Sequence, residues 1–208
     1  MTETKERIQS RAMDLFMKYG IRSVSMDDIA AQLGISKKTI YQYFADKNDL
    51  VLAVVDEDIR DLQENCMKCG INAGNAIEEI FLTMEMIQEL LRNMNPMVLY
   101  DLQKFHFEAY KKWIEHKNNF LLVSIENNLR NGIREGYYRP DLNVEVLSRF
   151  RLESMLIAFN FEIFQPVKYN LVDVTLQILE HFLFGLVTEK GYALIVKYKQ
   201  EREINTKK

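Results

Sequence analysis

SMDDIAAQLGISKKTIYQYFADK, residues 25–47, carries two helix starts and one helix stop within 23 residues. Ser25 followed by Asp28 is a capping-box pattern, in which a side-chain oxygen accepts an orphan backbone N–H, and it predicts a helix from Met26. Ile29, Ala30 and Leu33 then share one face. Gly34 follows where a residue without a Cβ can take the left-handed conformation that ends a helix, and Ser36 is placed to cap a second helix from Lys37 to Phe44. Two short helices joined by a three-residue turn containing Gly form a helix-turn-helix, whose second helix enters the major groove of DNA.

On that second helix Ile40 and Phe44, four residues apart, turn inward. Lys37, Lys38, Thr39, Tyr41, Gln42 and Tyr43 occupy the other faces, a set rich in groups that bond phosphates or base edges. Asp46 caps a further helix that begins at Lys47, and a lysine beside free N–H groups at a helix start suits a phosphate. The stretch resembles the DNA-binding domain of TetR family transcriptional regulators. The resemblance rests on Ser25, Ile29-Ala30, Gly34-Ile35-Ser36, Tyr41, Tyr43-Phe44, Lys47 and Leu50, with Phe16 and Gly20 before them. It implies DNA contacts from Ser25, Ser36, Lys37, Lys38, Thr39, Tyr41, Gln42, Tyr43 and Lys47. Of these, Ser25, Tyr41, Tyr43 and Lys47 are expected on phosphates, and Lys37, Lys38, Thr39 and Gln42 on base edges.

Length and composition agree with an all-α chain. In 208 residues, 48% hydrophobic, there are three prolines and eight glycines, and no sustained alternation of β-branched residues marks a strand. Net charge is −3, which argues against a protein that coats nucleic acid nonspecifically. The first 50 residues hold 8 Lys+Arg against 7 Asp+Glu, a net of +1, so the rest carries −4. The polar start MTETKERIQSR has no apolar signal core, and no apolar run reaches the ~20 residues needed to span a bilayer, so a cytoplasmic protein without membrane contact is expected.

Around the motif, apolar periodicity predicts a first helix from about Thr4 to Tyr19 and a long helix from Lys47 to near Gly70. Past the break INAGNA, residues 71–76, helices are expected at about 77–93, after Pro96, at about 107–131, 144–164 and 171–190, with a terminal one after Gly191 and a fraying tail, EREINTKK. The expected architecture is a three-helix head, residues 1–47, and a helical regulatory and dimerisation domain, residues 48–208. The segment NGIREGYYRPDLNVEVLSR, residues 131–149, is similar to the link between two long helices of the TetR regulatory domain, with Asn143 as a cap. The resemblance further implies a homodimer whose seam takes Phe150, Met155, Leu179, Phe182, Leu183 and Leu186 from the last two long helices. It implies a cavity for a small apolar or amphipathic effector among Met84, Met97, Tyr100, His106, Phe107, Trp113 and Phe159, and a repressor released by that effector from a palindromic operator.

Other chemistry is thin. Cys66 and Cys69 are spaced C-x-x-C, but His106, His116 and His181 are scattered, and a structural zinc needs a second pair of ligands. No phosphate loop, nucleophile elbow or zinc-protease motif occurs, so neither an enzyme nor a cofactor or metal is expected. Two other readings stay open: a helical protein whose helix-turn-helix binds a protein partner, and a regulator that senses redox state through Cys66 and Cys69.

Overall fold

The computed structural model describes residues 2–206, and its elements are helices. They are α1 (Thr2–Tyr19), α2 (Met26–Leu33), α3 (Lys37–Tyr41), α4 (Lys47–Asn72), α5 (Ala76–Leu91), α6 (Met97–Phe105), α7 (Phe107–His116), α8 (Leu122–Arg134), α9 (Val144–Ile157), α10 (Leu171–Leu186) and α11 (Glu189–Thr206). A π-helical turn, Lys117–Leu121, joins α7 to α8. Among the described residues there is no strand, only an isolated antiparallel bridge between Tyr138 and Val187.

Several elements depart from the expected bounds: the single helix expected at about 107–131 is broken by the π-helical turn into α7 and α8, and α10 ends at Leu186 and not near 190, where Val187 is extended. α3 stops at Tyr41 instead of Phe44, because Tyr43 and Phe44 both donate their N–H to the Ile40 carbonyl and wind the chain into a turn. α9 ends at Ile157, well short of 164. There the N–H of Asn160 goes back to Ile157 O at 3.0 Å while its side chain accepts the N–H of Glu162 at 2.9 Å, offering the backbone an alternative to helix. α11 starts at Glu189, two residues before Gly191, and continues to Thr206 through most of the tail expected to fray; Lys207 and Lys208 lie outside the described residues.

The helices gather into two compact units. One takes the chain up to Leu62 together with Arg92–His116; the other takes Gln63–Leu91 and the chain from Lys117 onward. In the first unit Ile8, Ala12 and Phe16 of α1 pack with Ile29 of α2, Ile40 of α3 and Phe44. Leu50, Val51 and Val54 of α4 and Val98 and Leu102 of α6 close the same core. A fully buried aliphatic or aromatic side chain contributes about 1.5–3 kcal/mol, so this cluster holds α2 and α3 against each other by apolar burial.

The second unit is pinned by a buried polar knot. Asn128 of α8 donates from Nδ2 to Ala76 O at 2.9 Å and to Glu79 Oε2 at 2.7 Å, while the Tyr138 hydroxyl donates to Asn128 Oδ1 at 3.1 Å. Burial and the neighbouring Glu135 raise the Glu79 carboxyl above its ordinary value, an effect that the Asn128 hydrogen bond opposes. Gly132 lies flat under Tyr138; a Cβ there would stand 2.1 Å from a ring carbon, closer than any side chain tolerates.

Candidate nucleic-acid interface

The helix-turn-helix is built by its own caps. Ser25 Oγ accepts the Asp28 N–H at 3.1 Å, and Asp28 Oδ2 accepts the Ser25 N–H at 2.8 Å and its hydroxyl at 2.6 Å. Those bonds hold the Asp28 carboxyl below its usual range. Gly34, at φ 66°, ends α2 in the left-handed region, where a Cβ is disfavoured. Ser36 Oγ then accepts the Thr39 N–H at 3.1 Å and starts α3.

With Ile40 and Phe44 inside, Lys37, Lys38, Tyr41 and Gln42 are exposed on the opposite side, and Thr39 and Tyr43 are half-buried beside them. Lys37 is not idle: its Nζ donates to Asp27 Oδ2 of α2 at 2.6 Å, and that bond raises its pKa. In the open, such a pair contributes little and exchanges readily for another anion. The exposed surface of α3 is therefore short, aromatic and cationic, with donors for phosphates and bidentate groups for base edges.

Two expected phosphate contacts are engaged elsewhere. The Ser25 hydroxyl is spent within its capping box. Lys47 Nζ donates to Ile21 O at 2.6 Å and lies 5.9 Å from the centre of the Phe16 ring. Burial lowers the Lys47 pKa, with Asp101 and Asp28 pulling the other way. This ammonium is a tether between α4 and the α1–α2 turn.

Sequence reading missed the polar clamp around that tether. Asp101 of α6, 3% exposed, accepts the backbone N–H of Arg22, and the N–H of Asn95 donates to Met17 O at 2.6 Å. His106 Nδ1 pairs with Asn48 Oδ1 at 2.7 Å. A lone Asp on an amphipathic helix reads as a solvated face, and no local signal announces a partner 79 residues away.

The residues expected around an effector are divided between the two units. Met84 and Phe159 belong to the second unit, and Met97, Tyr100, His106, Phe107 and Trp113 to the first. Phe107 is exposed, Met97 and Tyr100 are each 39% exposed, and Trp113 packs on the helix-turn-helix core, stacked on Tyr110 at 6.3 Å. A cleft of about 590 Å³ lies instead between α5, α10 and α11, and of the seven only Met84 lines it. Of the expected seam residues, Leu179, Leu183 and Leu186 are 0–2% exposed and Phe182 is buried, all within a single chain. They are core, because their own unit already covers them; Phe150 is exposed and Met155 half-buried.

A family model for the bacterial regulatory proteins of the tetR family matches residues 8–54, the span of α1 to the first part of α4. Residues 8–54 therefore match the DNA-binding domain of the tetR family, and the chain as a whole is similar to regulators of that family. An HTH-type transcriptional regulator of Bacillus subtilis, YvaF, is 33% identical over 112 residues, which is 50% of this chain and 55% of YvaF. The match thus spans about half the length of that relative. The HTH-type transcriptional repressor KstR2 of Mycobacterium tuberculosis is 27% identical over 142 residues, 67% of this chain and 71% of KstR2. A TetR family regulator from Agrobacterium tumefaciens superposes with a TM-score of 0.75 over 90% of this chain and 99% of that one, at 15% identity, a likeness of fold. These TetR relatives are named as regulators and repressors, not as enzymes. No helix among the described residues is long and apolar enough to cross a membrane.

Proposed function

We propose that this chain is a sequence-specific transcriptional regulator which binds double-stranded DNA as a homodimer and leaves a palindromic operator when a small apolar or amphipathic effector binds. The observation that carries the reading is the capped helix-turn-helix with Lys38 and Tyr41 exposed on α3 and Gln42 exposed at its C-terminal end. Lys37, Lys38, Thr39 and Gln42 would read base edges, and Tyr41 and Tyr43 would position the head on phosphates, while the Ser25 and Ser36 caps hold the two helices that present them. The functional division would fall at 47/48, since every DNA contact lies in residues 1–47. Two heads on a twofold axis must sit about 34–36 Å apart to enter successive major grooves, so a palindrome is the matching site.

The redox reading has less support. Burial, with Cys69 and Glu79 nearby, pushes the Cys66 thiol up to about 11, and burial raises Cys69 as well, so neither is poised as a thiolate. No group of metal-ligating side chains occurs among the described residues.

Selection of bound sequences from a pool of random duplex DNA tests the proposal. A palindrome should be enriched, with binding that weakens steeply as salt rises. No enrichment and no salt-dependent affinity would favour a protein partner for the helix-turn-helix.

A further inference from the structure

The second unit holds a cleft of about 590 Å³ between α5, α10 and α11, within the range of roughly 300–1,000 Å³ usual for small-molecule sites. Its floor is apolar: Phe81 and Met84 of α5, Leu183 of α10 and Ile195 of α11 line it, each less than a tenth exposed. Leu176 lines it as well, and the amides of Gln88 and Gln177 are exposed at its edge.

The charges around the opening decide what can enter. Lys199 of α11 is ion-paired with Glu180 of α10, and Arg202 of α11 with Glu85 of α5 at 2.6 Å. Arg202 also donates to the Phe81 carbonyl. Both cations therefore already have carboxylates. An anionic ligand would have to break a pair, and a cationic one would find outside those pairs only Asp173, an exposed carboxylate of the lining that water already solvates and that repays little on pairing. Either would also surrender its own hydration over an apolar floor, at a cost that only pairing can recover. An uncharged ligand meets no such penalty, and the two amides supply a donor and an acceptor for one polar group.

From this we infer that the α5–α10–α11 cleft is a binding site for an uncharged, largely apolar small molecule carrying a hydrogen-bonding group. The inference deepens the effector arm of the proposed function and rests on it for its regulatory meaning.

The test uses the full chain with two fluorescent probes, uncharged N-phenyl-1-naphthylamine and anionic 8-anilinonaphthalene-1-sulfonate. The uncharged probe should bind saturably, one per chain, at least tenfold tighter than the sulfonate. Leu176→Trp, which fills the cleft, should weaken it at least tenfold with an unchanged melting temperature. Should that variant melt early, Gln177→Trp on the exposed rim takes its place with the same expected loss. Equal affinity for wild type and the filled variant, or tighter binding of the sulfonate, overturns the site. So does Gln177→Cys forming a disulfide dimer that no longer takes up the probe, since a second copy would then cover the cleft. Probe binding blocked by the filled variant in a chain that selects no DNA would sustain the cleft and sink the regulator reading. An enriched operator with no probe binding would do the reverse.

Discussion

Asp101 Oδ2 accepts a hydrogen bond from the backbone N–H of Arg22 at 2.9 Å. The bond joins α6 to the turn that leads into the helix-turn-helix, and because the carboxylate is 3% exposed, water cannot replace it cheaply. Removing the acceptor strands the N–H. Asp101→Ala is expected to lower stability by about 1–3 kcal/mol, while Asp101→Asn, whose amide oxygen can still accept, should lose less. Urea unfolding followed by Trp113 fluorescence reports on the same core. Equal loss in both variants would mean that the side chain matters for charge or volume and not for this bond.

Lys38 and Lys47 should separate in salt dependence. Lys38 is exposed on α3, and a cation that reads a base edge still neutralises the phosphates flanking the groove, so Lys38→Ala should reduce the slope of log affinity against log salt by up to about one. Lys47 is bound to Ile21 O, so Lys47→Ala should lower the melting temperature and leave the slope unchanged. A slope reduced equally by both would return Lys47 to the phosphates.

Stability should depend on pH through His106. Burial first, and then Lys47, depress its pKa below the ordinary 6.5, against a smaller pull from Asp101. The unfolded chain therefore takes up the proton first. Its contribution is complete above pH 6.5, is lost as pH falls from 6.5 to the depressed folded value, and is flat below that. Asp58 acts in the opposite sense: burial and Asp61 raise it from 3.8 to about 6, so its contribution fades as pH climbs through that interval. The quantity to measure is thus the difference in urea midpoint between wild type and His106→Asn at pH 7.5 and pH 5.5. That difference should change between the two conditions; a constant one would exclude His106 as a source of pH dependence.

The dimer seam can be placed by two glutamates. Phe150 is 56% exposed on α9, so Phe150→Glu should leave the chain folded and, if α9 lies on the twofold seam, monomeric by light scattering. Leu179 is 1% exposed inside one chain. Leu179→Glu forces a charge into a packed core and should cost several kcal/mol, about 3–5 for an uncompensated buried charge, appearing as unfolding and not as a clean monomer. Dimeric Phe150→Glu protein would move the seam off this face.

What could be read in advance was local. Ser25, Gly34, Ser36 and Asn143 work within four residues of themselves, and each caps or ends a helix where its type and spacing require. The fold class followed from the same signals repeated along the chain. What could not be read was long-range. An apolar stripe such as Leu179, Leu183 and Leu186 looks the same whether its own chain or a second copy covers it. The Lys47 ammonium is legible as a cation but not as the partner of Ile21 O, and Asp101 finds Arg22 only once α6 has folded back.

The contact between Gly132 and Tyr138 sets an order on how this sequence can change. Any side chain at 132 would meet the ring, so position 138 has to shrink first. Shrinking it removes the hydroxyl that Asn128 accepts, so Asn128 has to find another donor or be replaced in turn. The three positions are therefore coupled in sequence: 132 can move only after 138 has given way, 128 must answer that change, and a single-step substitution at the glycine meets a wall from any starting point that keeps the tyrosine.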